Sequence, residues 1–253
     1  KAVASLSELG NLPEIGRTHL NLVTCLTPQE AFLIADLEEK DRLRSKVIKD
    51  LSEAVALFEK TGDTYLLGSL HLWLGTLTGG EESVKHFEKA LECGELTRDN
   101  FLIAGGLDFL AIVTYWKAIA TDDPDQRRKL GEKAMEFYDK ARHHYSIISF
   151  VTPRFGVIGS PAGHAENYLH LALWETNSKK RLEFLEKSEK AGVEALKLAE
   201  DSGMPRVIGS TFHVVSKTLE ARAYVESGPA AKRSCLERAL KYREKAVEIA
   251  EQF

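Results

Sequence analysis

Apolar residues along most of the chain recur at helical spacing, in segments that come in pairs. In the last pair an apolar-rich segment at 205–226, PRVIGSTFHVVSKTLEARAYVE, is followed by SGP and then by AAKRSCLERALKYREKAVEIAEQF, which is rich in Glu, Lys and Ala. Proline near a helix start and Ser-Gly-Pro between two periodic segments are typical helix boundaries. Each pair therefore predicts a helical hairpin.

A short aliphatic-Gly motif recurs near the start of the first helix of each pair. VIGS stands at residues 157–160 and again at 207–210, and the related glycines lie at positions 16, 68, 105, 159 and 209. Spacings of a few tens of residues are typical of helical-repeat arrays. Because glycine within a helix costs about 1 kcal/mol relative to alanine, we expect it where two helix backbones approach closely. The motif is interpreted as a packing device, with a binding loop as the alternative.

The second helices align through small residues seven positions apart. The pairs are Ala134 and Ala141, Ser188 and Ala195, and Ala239 and Ala246. Residues at this spacing share one helix face, and small side chains there allow a neighbouring helix to come close. These positions are predicted to form the contact between helices.

One pair carries a family resemblance. LHLWLG at 70–75 followed by ESVKHFEKALE at 82–92 resembles the tetratricopeptide repeat, with Ser83, Phe87 and Ala90 at the packing positions of the second helix. The resemblance implies an all-α, right-handed superhelical solenoid of antiparallel helix pairs. Most spacings here exceed the usual 34 residues and the closing proline is absent, which longer helices and linkers would explain. The chain looks most like the helical-repeat sensor arm that follows the ATPase module in signal-transduction ATPases of the STAND class.

The predicted domain organisation is a single array of about five helix pairs. Their predicted bounds are roughly 12–62, 63–98, 99–148, 149–203 and 204–253. The opening residues KAVASLSELGNLPEIG align with EALKLAEDSGMPRVIG at 194–209, so Lys1 is expected inside a helix of a preceding repeat. We therefore expect the chain to be a segment of a longer protein.

Composition narrows the location and the partners. Of the 253 residues, 43% are hydrophobic and 28% charged, which is typical of a folded protein. The net charge of −4 offers no basic stripe, so nucleic acid is not an expected partner. The apolar window at 101–116 is short for a bilayer and contains Asp108, so no membrane partner is expected either. Three widely spaced cysteines suit a reducing compartment, and no secretory signal is visible, so the expected location is the cytoplasm.

The sequence lacks the common motifs of catalytic sites. There is no G-x-x-x-x-G-K-[ST] phosphate loop and no G-x-S-x-G nucleophile turn, and the two histidines of HAENYLH at 164–170 are six residues apart, unlike the i, i+4 zinc motif. We therefore expect a non-enzymatic protein with no catalytic residue, metal or cofactor.

The first helices of stacked hairpins are expected to line the concave face of the array, where a protein or peptide partner would bind. The exposed positions predicted for this face are Arg17, Asp108, Tyr115, Trp116, Glu166, His213 and Lys217. The alternative for the aromatic residues is a place in the core.

The segment at 149–163 departs most from the repeat, since Pro161 follows VIGS and proline bends or breaks a helix interior. A pocket at this bend would involve Arg154, Phe155, Pro161 and His164, whereas the alternative is a plain loop. Such a pocket would suit a second hypothesis, a ligand-sensing regulatory arm of a larger signal-transduction ATPase. An enclosed pocket would favour the sensor, and an open groove across several repeats would favour the scaffold.

Overall fold

The computed structural model describes residues 37–148, 159–202 and 205–251. Within these ranges the chain forms nine helices and no strand. They are α1 (Leu37–Thr61), α2 (Thr64–Leu77), α3 (Gly80–Thr97), α4 (Asn100–Ile119), α5 (Pro124–Ile147), α6 (Gly159–Trp174), α7 (Ser178–Ser202), α8 (Pro205–Val225) and α9 (Pro229–Ala250). The all-α prediction is confirmed over the described residues, whereas a helical-repeat superhelix of the tetratricopeptide type stays a prediction.

The chain divides into two compact units, and the boundary lies inside α4. The first unit extends to Phe109 and the second begins at Leu110. The predicted bounds of the five repeats stay predictions.

In the first unit, α2 packs between α1 and α3. The side chain of Asp63 caps α2 by accepting a hydrogen bond from the backbone N–H of Leu66 at 3.1 Å. A Cβ on Gly75 would overlap the ring of Phe87, and Ser83 Oγ donates to the Gly75 carbonyl at 2.6 Å. Glycine is therefore required here because α2 and α3 lie too close for a side chain.

In the second unit, each helix from α5 to α9 packs on the next, and α6 also contacts α8. The small residues predicted to form the helix contacts are buried here. They are Ala134, Ala141, Ser188, Ala195 and Ala239, whereas Ala246 is half-buried. The prediction of a contact made by small residues is confirmed at the five buried positions.

The glycine motif has no uniform packing role. A Cβ on Gly68 would lie 2.7 Å from Cys93 Cβ, and one on Gly105 would lie 2.9 Å from Leu72 Cδ2, so both glycines serve close helix contacts. A Cβ on Gly209 would meet only Ile249 Cγ2, at the ordinary distance of 3.5 Å. The close-approach explanation is therefore wrong for Gly209, since α9 leaves room for a methyl group there.

One helix, α4, is long and apolar enough to cross a membrane by length and composition alone, among the residues described. It has 20 residues, more than the window considered from the sequence, so the length argument against a span does not hold. Just over half of its most apolar window, 56%, is buried within the protein, as in the core helix of a folded domain.

Candidate functional site

A half-open cavity of about 290 Å³ lies in the second unit, between α4, α6 and α8. Its polar and aromatic lining residues are Tyr115, Trp116, Tyr138, Glu166, Ser210 and Thr211. Except for Tyr138, which belongs to α5, these side chains come from the first helices of three successive helix pairs. The cavity therefore runs across repeats.

Helical spacing explains why these residues face one space. Ile112, Tyr115 and Trp116 stand at i, i+3 and i+4 on α4, and Ser210 and Val214 stand at i and i+4 on α8. Residues at these spacings share one helix face. Each first helix therefore presents one stripe to the cavity.

Small residues of α6 make the space. Ala162 and Gly163 line the cavity, and a Cβ on Gly163 would lie 2.5 Å from the hydroxyl oxygen of Tyr138. Gly163 therefore allows the Tyr138 ring to lie against α6, with its hydroxyl beside the glycine backbone.

Tyr115 is the buried polar group of the cavity. Its side chain is 3% exposed, and its hydroxyl lies beside Glu166, with which it interacts outside regular hydrogen-bond geometry and apart from which it has no partner among the described residues. Burial, followed by the negative charge of Glu166, raises the pKa of Tyr115 above its ordinary value. The ring packs against His170 and Trp116, each with a centroid distance of 5.6 Å, so its position is held from two sides.

Trp116 and Glu166 complete the site. Trp116 is 58% exposed although it lines the cavity, so it is accessible to a partner. Glu166 is half-buried and is the one carboxylate among the described lining residues, which include neither Lys nor Arg. The cavity thus combines aromatic surface with one uncompensated negative charge.

The structure brings together three of the residues predicted for the binding face, namely Tyr115, Trp116 and Glu166. His213 and Lys217 are exposed on α8 but do not line the cavity. Arg17 lies outside the described residues.

The prediction that Asp108 is exposed on the binding face is wrong. The Asp108 side chain is only 4% exposed, within the first unit. Its Oδ1 atom has no hydrogen-bond partner among the described residues, and burial raises the pKa of its carboxyl to about 7. The helical period placed Asp108 on α4 but could not show which side of α4 is covered.

Most of the residues predicted to form a pocket at the bend have no described side chain. Arg154 and Phe155 lie outside the described residues, and Pro161 belongs to α6, with a side chain that is not described. His164 is 2% exposed, and its Nε2 lies 3.1 Å from Asp139 Oδ1. It is thus a paired, buried histidine.

His164 borders a second, smaller cavity of about 180 Å³ between α5, α6 and α7. Here the charges are compensated: Arg142 donates to Glu194 at 2.6 Å, and Lys187 lies over the ring of Tyr168. The rings of His164 and Tyr138 are neighbours in the core, with their centroids 5.1 Å apart. Tyr138 and His164 therefore lie between the two cavities.

Sequence reasoning missed Tyr138, Ser210 and Thr211. Ser210 ends the second copy of the repeated VIGS motif, which was interpreted as a packing device, and Thr211 follows it directly. Their one available signal was the i, i+1, i+4 spacing of Ser210, Thr211 and Val214, which repeats that of Ala162, Gly163 and Glu166 on α6. Tyr138 stands on a second helix, for which no contact with the binding face was expected.

Within the described part of the chain, no group of three or more His, Cys, Asp or Glu side chains converges on a common point.

Comparisons with known proteins give weak similarities only. No family model and no curated protein matches the chain. A de novo designed helical repeat protein, DHR64, is 20% identical with a TM-score of 0.38, covering 86% of this chain and 97% of that one. A circular tandem repeat protein is 20% identical with a TM-score of 0.37, covering 99% and 64%, and a DHF58 filament is 18% identical with a TM-score of 0.27, covering 98% and 95%. These similarities do not place the chain in a family.

Proposed function

We propose that the chain is a non-enzymatic recognition scaffold that binds a peptide or protein segment along its first helices. The observation that carries the proposal is the cavity formed by α4, α6 and α8, because it spans three successive helix pairs. A binding surface that crosses repeats is the usual arrangement in helical-repeat proteins. In the complete array this surface would be the concave face of a tetratricopeptide-like superhelix.

The size and exposure of the cavity support a peptide. Pockets for small molecules usually enclose about 300–1,000 Å³ and bury most of the ligand. The cavity here has about 290 Å³ and is half-open, with Trp116 exposed beside it. This space suits one inserted side chain, while the rest of a peptide lies along the helices. Aromatic residues are also enriched at protein contacts.

The proposal extends to the setting of the protein. The scaffold acts in the cytoplasm, needs no metal or cofactor, and takes a protein partner in preference to nucleic acid or membrane. The net charge of −4 supports the exclusion of nucleic acid.

A second candidate function is the ligand-sensing arm of a signal-transduction ATPase. It is favoured by the Tyr115 hydroxyl, which borders the cavity without a partner of good geometry among the described residues. A small effector would satisfy that hydroxyl as well as a peptide would. This function requires retention of a small molecule by the protein isolated from its native source.

A displayed random-peptide library tests the scaffold against the purified chain. Selected peptides should bind the wild type and lose binding to Trp116→Ala, which removes exposed aromatic surface beside the cavity. Tyr224→Ala is the matched control, since Tyr224 is an 86% exposed aromatic on α8 that does not line this cavity. Peptides that bind both variants equally would contradict the proposed location. Native mass spectrometry that finds a retained small molecule, with no peptide selected, would favour the sensor.

A further inference from the structure

The ligand chemistry of the cavity follows from its charge and its aromatic walls. We propose that the α4–α6–α8 cavity receives a basic side chain, lysine or arginine, of the bound peptide, with Glu166 as its counter-ion. This inference rests on the proposed function, because it names the chemistry of the residue that the scaffold recognises.

Charge is the first step. Glu166 lines the cavity half-buried, and no ion pair neutralises it within the described part of the chain. The described lining contains no Lys or Arg, so within it a cation meets attraction from Glu166 and no repulsion from a basic side chain. An anionic side chain would be repelled by the same carboxylate.

Aromatic surface is the second step. Tyr115, Trp116 and Tyr138 line the same cavity, and Trp116 offers exposed ring area. The faces of such rings carry negative potential and attract ammonium and guanidinium groups. The aliphatic stem of lysine or arginine packs on the same surface.

The Tyr115 hydroxyl is the third step. It is buried at the cavity beside Glu166, its hydrogen-bonding neighbour, and has no further partner among the described residues, so its oxygen is left to accept. Lysine brings three N–H donors and arginine five, so a basic side chain supplies a donor to the hydroxyl oxygen while another N–H reaches Glu166.

In the second cavity, the carboxylates are paired with cationic or hydrogen-bonding side chains of the protein itself. There the carboxylate of Glu194 already accepts from Arg142, and Asp139 is paired with His164. Among the described residues the α4–α6–α8 cavity shows no such pair for Glu166, and this contrast favours a ligand as the source of the cation.

Titration with N-acetyl-arginine methylamide and with its neutral citrulline analogue tests the inference directly. The indole N–H signal of Trp116 in an NMR spectrum reports on occupancy. We expect the arginine probe to shift this signal saturably, with binding that weakens as salt is added, and the citrulline probe to bind at least about tenfold more weakly. Equal binding of the two probes would overturn the proposal.

Variants assign the counter-ion. Glu166→Gln should weaken the arginine probe by about tenfold, because it keeps the shape and removes the charge. Glu183→Gln is the matched control, since Glu183 is exposed on α7 outside the cavity, and it should leave binding unchanged. Tyr115→Phe should weaken binding a few-fold by removing only the hydroxyl. Unchanged binding to Glu166→Gln would exclude Glu166 as the counter-ion and refute the inference.

Peptides from the library separate this inference from the proposed function. If selected peptides require Trp116 but tolerate citrulline or acetyl-lysine at every basic position, the scaffold stands and the basic-side-chain inference fails. If no peptide is selected, the scaffold itself fails. If binding requires both Trp116 and one basic residue, both are supported.

Discussion

The two units of the chain treat buried polar groups differently. In the first unit, His71 Nε2 and Asp108 Oδ1 are buried without a hydrogen-bond partner among the described residues. In the second unit, Arg222 joins α7 and α8 by pairing with several carboxylates. They belong to Glu186, Glu189 and Glu226. The charge of Arg222 in the second unit is therefore stabilised by pairing, whereas His71 and Asp108 leave polar atoms unsatisfied in the core of the first unit.

Two buried groups of the second unit also lack a regular hydrogen-bond partner among the described residues, and their surroundings differ. Asn167 Oδ1 has no partner among the described residues, although its Nδ2 donates to the Gly131 carbonyl at 3.0 Å. Tyr115 also lacks a partner of good geometry, but it borders the cavity. An unsatisfied group within a closed core lowers stability, whereas one beside a cavity marks a place where a ligand restores the lost hydrogen bond.

The largest effect should come from Asp108. Burial raises the pKa of its carboxyl to about 7, so the carboxyl destabilises the fold progressively as the pH rises from about 4 through 7. We expect Asp108→Asn to raise the free energy of unfolding by about 3 kcal/mol at pH 8 and to change it little near pH 4. Urea denaturation at both pH values measures this. Asp41→Asn, at an exposed position of α1, is the control and should change stability little at either pH. If Asp108→Asn stabilised the protein equally at both pH values, burial of the Asp108 carboxylate would not be the cause.

The next effect compares one substitution at two glycines of the second unit. Gly163→Ala places a methyl group 2.5 Å from the Tyr138 hydroxyl oxygen, so we expect a loss of about 2 kcal/mol through overpacking. Gly209→Ala meets only an ordinary contact at 3.5 Å and should stabilise by up to about 1 kcal/mol through helix propensity. Thermal unfolding of the two variants gives the sign of each change. Similar losses for both would show that Gly209 also serves a close contact.

A smaller effect concerns the histidine pair of the first unit. His71 Nδ1 lies 2.9 Å from His86 Nδ1, and burial, followed by the charge of His86, lowers the pKa of His71 to about 4. Its folded-state pKa lies below the unfolded value, so its contribution is complete above pH 6.5 and is lost as the pH falls toward 4. We expect that loss to be about 1–2 kcal/mol, and His71→Gln to remove it.

The pH dependence of His71 and Asp108 has opposite signs over the same range. The wild type should therefore show a shallow fall in stability as the pH rises, which reverses in Asp108→Asn and steepens in His71→Gln. Hydrogen exchange of the α2 amides between pH 4.5 and 7 follows the first unit by itself. Parallel pH profiles for the two variants would contradict the opposite pH dependences assigned to His71 and Asp108.

The smallest effect should come from the exposed ion pair of the second cavity. The Arg142 and Glu194 side chains are 49% and 37% exposed, so solvent screens their attraction. Glu194→Gln should lower the free energy of unfolding by about 0.5 kcal/mol or less and leave peptide binding intact. Chemical denaturation and the peptide assay measure the two quantities. A loss of binding as large as that of Glu166→Gln would remove the distinction between the two cavities.

Local pattern predicted the elements of this fold well. The helical period and the breaks at Gly and Pro predicted the helices, and the small residues seven apart predicted the contacts around Ala134, Ser188 and Ala239, which are buried. These features follow from backbone geometry and side-chain size within about ten residues of chain. They need no knowledge of distant neighbours.

The site was predicted only in part. Tyr115, Trp116 and Glu166 were placed on the first helices from their spacing, and they do line one cavity. Tyr138 was missed because it reaches the cavity from a second helix, and its place depends on the lack of a side chain at Gly163. No local pattern contains that contact, since the two residues are 25 positions apart.

The sequence by itself predicted helices throughout the described residues, the bounds of α8 and α9 to within a few residues, and which residues share a helix face. Only the tertiary structure decided which of those faces are covered. Asp108 and Trp116 lie on the same helix, yet one is buried and the other is 58% exposed. The physical reason is that periodicity is a property of one helix, whereas burial and cavities depend on the neighbours that pack against it.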